Sequence, residues 1–230
     1  MTDLITNRIY FYLIALFLFD PLSVALGQHT DQNLKSATDE LAIRQVYQAM
    51  VQKVKAGDST VDFVELIAAA SDWDLSTKTI ISAPNRDAMV EAFKKNDYKK
   101  ATELAEQVLD YEFTNRSLHR ATENAYIKLG DKAQAEFHHN IAEKLLSAIL
   151  STGDGRSPQT AYCVQSIREE YVIMDHFGYA VSSQAYLSSG ESTYDVLSGI
   201  DRKSKKAVSL YFDISGLFRC CITSHRKDQN

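Results

Sequence analysis

The chain has 230 residues, of which 45% are hydrophobic and 24% charged, and its net charge is −5. This is ordinary globular composition, long enough for one or two domains with a real core. No excess of one charge sign points to nucleic acid or anionic lipid as the main partner.

The first segment, MTDLITNRIYFYLIALFLFDPLSVALGQ, carries Arg8 ahead of an apolar run from Ile9 to Phe19 that Asp20-Pro21 breaks. Ala25 and Gly27 then stand three and one positions before Gln28. A charged end, a short apolar core and a small-x-small site make a secretory signal peptide. A membrane-spanning helix needs about 20 apolar residues, and this run is about half that. We expect an exported chain, periplasmic or secreted, cleaved after Gly27 and without a stable membrane span. The expected organisation is residues 1–27 as signal peptide, 28–152 as a helical, repeat-like domain, 153–216 as a small β-rich domain, and 217–230 as a tail.

From Asp31 to about Leu150 the pattern is helical. Leu41, Val46, Met50 and Val54 fall near a 3.6-residue period, with Gly57 as a stop. Val61 to Ala70 is a second apolar stretch. Trp73 to Ala83 is mixed and β-branched and reads as a loop, after which Pro84-Asn85 opens another helix. Asn96-Asp97-Tyr98-Lys99-Lys100-Ala101 recurs as Gly130-Asp131-Lys132-Ala133-Gln134-Ala135, and Ala101 to Ala135 spans 34 residues. That is the period of a tetratricopeptide unit. Asn96 and Gly130 tolerate positive φ, Asp97 and Asp131 can cap the following helices, and Ala101 and Ala135 suit a close helix crossing. Stacks of this kind present concave surfaces to a protein or peptide.

The stretch Ser151 to Tyr162, STGDGRSPQTAY, joins the two halves. It lacks the lysine and spacing of a phosphate loop, the alternating acids of a calcium loop, and the strand-Gly-x-Ser-x-Gly context of a nucleophile elbow. As a joint it makes sense: Gly153 ends the helix in the left-handed conformation, Asp154-Gly155 turns the chain, and Ser157-Pro158 blocks a return to helix.

Beyond it, Ala161 to Gln165 reads as a strand. Ser166 and Glu169 form a capping box for a helix over Ile167 to Phe177. Three strands follow, of which Val208, Leu210, Phe212 and Ile214 alternate most cleanly. Arg202, Lys203, Lys205 and Lys206 fall at a solvated turn. The fold class is α+β: helical hairpins, then a small antiparallel sheet with one face covered by a helix.

The blocks Ala135-Glu136-Phe137-His138, Ser151 to Tyr162, Glu169-Glu170-Tyr171, Tyr194 to Leu197 and Tyr211 to Ile214 resemble the bacterial family called domain of unknown function 4919, over roughly Met89 to Ile214. The resemblance implies an exported protein with repeat-like helices before a small β-containing end, and it implies no activity. The end of the chain, Leu217-Phe218-Arg219-Cys220-Cys221, departs from the pattern.

No residue set makes a catalytic constellation. The histidines lack metal-ligand spacing: His138 and His139 diverge by about 100° on a helix, and His119 could meet His138 across the hairpin. We expect no metal and no cofactor. Cys163, Cys220 and Cys221 show no Cys-x-x-Cys spacing; Cys163 can bridge one of the other two, or all three can stay reduced. The leading reading is a non-catalytic, exported protein- or peptide-interaction module that binds no nucleic acid. The alternative is a small-ligand or hydrolytic site at the helical/β junction, built from His119, His138, Asp154, Glu169 and Glu170. An enzyme of that kind requires His138, Asp154 and Glu170 to converge on one cavity.

Overall fold

The structure, a computed structural model, describes residues 40–73, 75–190, 192–215, 218 and 221. The proposed signal peptide lies outside the described residues. The chain divides into two compact units, Met1–Ile43 and Arg44–Asn230. Residues 40–43 of the first are helical.

The second unit begins with six helices. α1 covers residues 44–55, α2 Phe63–Asp72, α3 Leu75–Lys94, α4 Tyr98–Leu109, α5 Arg116–Leu129 and α6 Lys132–Leu150. Their ends are written in local chemistry. Asp62 accepts from the amides of Val64 and Glu65, Asp97 from Lys100, Asn115 from Leu118 and Asp131 from Gln134. Each cap satisfies a helix N–H that has no intrahelical partner. Asn96 and Gly130 adopt positive φ, 56° and 79°, so the two corresponding turns of the 34-residue spacing share one geometry. Ala101 and Ala135 are both buried.

One sequence expectation is overturned in this half. The chain from Leu75 onward is helix rather than loop, and α3 continues through Pro84. Proline inside a helix removes a hydrogen bond, and tertiary contacts offset that loss. Ser82 donates to Glu112 over 2.7 Å, and Asn85 donates to Gln107 over 2.9 Å. Met89 packs with Ala105, Val108, Leu109 and Leu118.

The hinge 151–162 is a joint, by a different route from the one expected. The C-cap of α6 is Ser151 in right-handed geometry, and Gly153 is not among the glycines with positive φ. Gly153 is needed because the backbone folds onto it: a Cβ there would stand 2.2 Å from the Thr160 carbonyl oxygen. Gly155 holds φ 67° and faces the Tyr162 ring. A 3₁₀ turn, Pro158–Thr160, follows.

The second half contains β1 (Tyr162–Cys163), α7 (Ile167–His176), β2 (Tyr179–Ser189), β3 (Ser192–Asp201) and β4 (Ala207–Asp213). The sheet order is β1-β4-β3-β2. β2, β3 and β4 form the expected antiparallel meander, with Leu197 opposite both Gln184 and Leu210. β1 is only two residues long and runs parallel to β4, pairing Tyr162 with Phe212. The sheet is therefore mixed rather than purely antiparallel. The core runs through both halves: Leu66, Ile67, Leu145, Ile149, Ile173, Met174, Leu197 and Phe212 are essentially inaccessible to solvent.

The expected tail is partly built in. Phe218 is buried, its amide donates to Ser71 Oγ over 3.0 Å, and Cys221 forms a disulfide with Cys163.

Candidate functional site

The five junction residues named from sequence do not gather at one place. His119 and His138 do meet, with their Nδ1 atoms 2.9 Å apart. His119 Nε2–H donates to the Phe113 carbonyl over 2.8 Å, so its Nδ1 is the acceptor and His138 Nδ1–H the donor. His138 Nε2 lies 2.8 Å from Glu106 Oε1, and Tyr126 donates to the same oxygen over 3.3 Å. His138 is thus held between His119 and Glu106. Burial, reinforced by His138, lowers His119 to about 3 and keeps it neutral. Burial alone would raise Glu106, but the bond and charge of His138 outweigh it and the carboxyl ends below its ordinary value. Both histidines are fully buried, every ring nitrogen is engaged, and Tyr126 stacks on His138 at 5.5 Å. The network ties α4, α5 and α6 together.

Asp154 is elsewhere, in the hinge. It accepts from the Arg156 amide over 3.0 Å and from Thr160 Oγ1 over 2.6 Å, and the Thr160 bond leads in holding its carboxyl low. Glu170 is buried against the sheet. Neither of its oxygens, nor Oδ1 of Asp195 on β3, meets a donor among the described residues. Burial, then the facing Asp195, pushes Glu170 up to about 8.

Glu169 is the exception. It lines a cavity of about 600 Å³ between the helices and α7. Glu169 also accepts from the Gln165 amide, one residue ahead of the N-cap Ser166, and Ser166 makes no side-chain cap bond. Burial pushes the Glu169 carboxyl up to about 7, against the opposing pull of its amide bonds and of Arg116.

The other walls come from residues to which the sequence drew no attention. Trp73, just after α2, and Tyr111, in the α4–α5 connection, bring aromatic surface, and Val172 and Phe218 add apolar surface. The Trp73 and Tyr111 rings are 6.3 Å apart, and the Arg44 guanidinium lies 5.4 Å from the Trp73 ring centre. The connection is pinned from behind, because the Phe113 amide donates to Tyr47 Oη over 2.8 Å. Arg86, Arg116 and Arg168 bring positive charge. Arg86 pairs with Glu112, which also accepts from Ser82 and Asn115. Arg116 donates through Nε to the Ala142 carbonyl over 3.2 Å and stands 3.6 Å from Glu143. The one available signal was positional: Arg116 and Arg168 fall in the first turns of α5 and α7, where acids are usual. Trp73 and Phe218 gave no local signal.

No group of three or more His, Cys, Asp or Glu among the described residues could hold a metal ion. No helix among the described residues is long and apolar enough to cross a membrane. The model of the family described as Domain of unknown function (DUF4919) matches residues 76–220. No curated protein and no solved structure matches the chain, and nothing in these comparisons assigns the helices to the tetratricopeptide class.

Proposed function

The chain belongs to the family described as Domain of unknown function (DUF4919), a membership that carries no activity, and from the geometry of the site we propose that it is a non-catalytic, exported protein that binds a small ligand at the helical/β junction. The observation that carries this reading is the cavity of about 600 Å³. That volume is in the range of ligand pockets, and an apolar floor with a few converging polar groups is their usual chemistry. His138, Asp154 and Glu170 serve three separate structural tasks rather than converging on one cavity, which favours ligand binding over the hydrolytic version. Export rests on the N-terminal pattern and on the Cys163–Cys221 disulfide, which suits an oxidising compartment. A peptide-binding role for α4 to α6 rests only on the 34-residue spacing, and the junction cavity is the better-formed site.

The test is a thermal-shift screen of small metabolites against the mature chain and against Val172→Phe, which fills the cavity from α7. Compounds that raise the Tm of the native protein and not of the variant support the site. If no compound shifts the native protein, or if the same compounds shift both equally, the reading fails.

A further inference from the structure

The chemistry of this cavity selects a class of ligand. Two helix N-termini end at it. Thr114, Asn115, Arg116 and Ser117 bring the start of α5, and Ser166, Ile167 and Arg168 bring the start of α7. A helix start presents backbone N–H groups and the positive end of the helix dipole, which favour a negative charge. Both helices carry arginine in the first turn; α5 has no acid there, whereas α7 also has Glu169 and Glu170. Arg168 is exposed and makes no ion pair among the described residues. Arg116, with a side chain only 14% exposed, is oriented by a carbonyl and only loosely paired.

The acids answer this positive charge only in part. Glu112 is committed to Arg86, Ser82 and Asn115. Glu169 is committed to the Gln165 amide, and at neutral pH burial leaves it partly protonated. One further group points the same way. Thr114, only 8% exposed, lines the cavity and makes no side-chain hydrogen bond among the described residues. The rest of the lining includes the aromatic and apolar side chains of Trp73, Tyr111, Val172 and Phe218.

We propose that the cavity takes a small organic anion, with its carboxylate or phosphate at the wall formed by the α5 and α7 N-termini, near Arg116 and Arg168, and its aromatic or apolar body against Trp73, Tyr111 and Phe218. This rests on the reading of the cavity as a ligand site. The guanidinium fork suits both head groups, and the anion's affinity over a neutral isostere measures its use.

The protein contains its own probe, because Trp73 is the chain's single tryptophan. Trp73 emission is followed during titration with 3-phenylpropionate, phenyl phosphate, the neutral 3-phenylpropanamide and the cationic 3-phenylpropylammonium. The expected result is a saturable change with at least one anion, at an affinity about tenfold or more above the amide, and no response to the cation. Arg168→Gln, at an exposed position with an unchanged melting temperature, should remove most of the anion's advantage and leave the amide unaffected. The better of the two anions identifies the head group. If the amide or the ammonium binds as well as the anions, or Arg168→Gln weakens the amide as much as the anion, the anion class is wrong while the site stands. If no probe perturbs Trp73 at millimolar concentration, the site reading and this proposal fall together.

Discussion

Glu170 shows how one buried side chain sets a property of the whole protein. Its carboxyl is pushed up to about 8 by burial and by the facing Asp195, against an ordinary value of 4.5. The folded state therefore holds a proton that the unfolded chain releases above about pH 4.5. The stabilisation is fully present below that value and is lost as pH rises through about 8. Glu169, pushed up to about 7, adds to the same slope. Stability measured by urea unfolding should fall by roughly 2–4 kcal/mol between pH 5 and 8. Glu170→Gln supplies the missing donor without the charge, and it should flatten much of that fall and raise stability at pH 8. A variant with the same pH slope as the native protein would refute the assignment. Gly153 carries a second expectation at this scale. A methyl group there meets the Thr160 and Ala161 carbonyl oxygens at 2.2 and 2.7 Å, so Gly153→Ala should cost about 3 kcal/mol, the upper range for overpacking, seen as a lowered urea midpoint. The sequence identified Gly153 as a special position and misjudged the reason. A pattern of turn residues shows that the chain bends, whereas a close approach of backbone from further along the chain is visible only once the loop is folded.

Among the elements, legibility follows the range of the interactions. Asn96 and Gly130, with Asp97 and Asp131 behind them, were read correctly because positive φ and capping depend on neighbours within four residues. Removing a cap tests this directly: Asp131→Ala should lower stability by about 1 kcal/mol, and Asp97→Ala by a similar amount, each as a shift in the urea midpoint without loss of the fold. α3 was misread for the opposite reason. Its composition and Pro84 speak against helix locally, and contacts from Ser82, Asn85 and Met89 to other elements decide otherwise. The strand read over Ala161 to Gln165 is present as the two residues of β1; what the sequence did not show is its parallel pairing, because its partner β4 lies beyond α7, β2 and β3 in the chain.

For the whole molecule, the candidate cavity was the least legible feature. It draws on Trp73, the 111–117 connection, the first turn of α7 and Phe218, and the bond from the Phe218 amide to Ser71 joins residues 147 positions apart. Of the five junction residues named from sequence, only Glu169 lines the cavity. His119, His138, Asp154 and Glu170 stand out in the sequence because they are titratable, and in the fold they belong to the frame. The disulfide acts at this largest scale. Cys163 and Cys221 are 58 residues apart in sequence, and a bridge closing a loop of that length restricts the unfolded chain. The double variant Cys163→Ser, Cys221→Ser should lose about 2–4 kcal/mol, measured as the denaturant midpoint under non-reducing conditions. The same variant should lose nothing further on addition of reductant, whereas the native protein should be weakened by it.

Phe218 and Cys221 also set an order of events in the life of the chain. Synthesis delivers the helices first and the sheet next, and the wall that Phe218 supplies comes only after β4 is complete. A polypeptide stopped at residue 215 would possess every element from α1 to β4 and still leave one side of the cavity open. The proposed ligand site is thus the part of the described fold that is completed last.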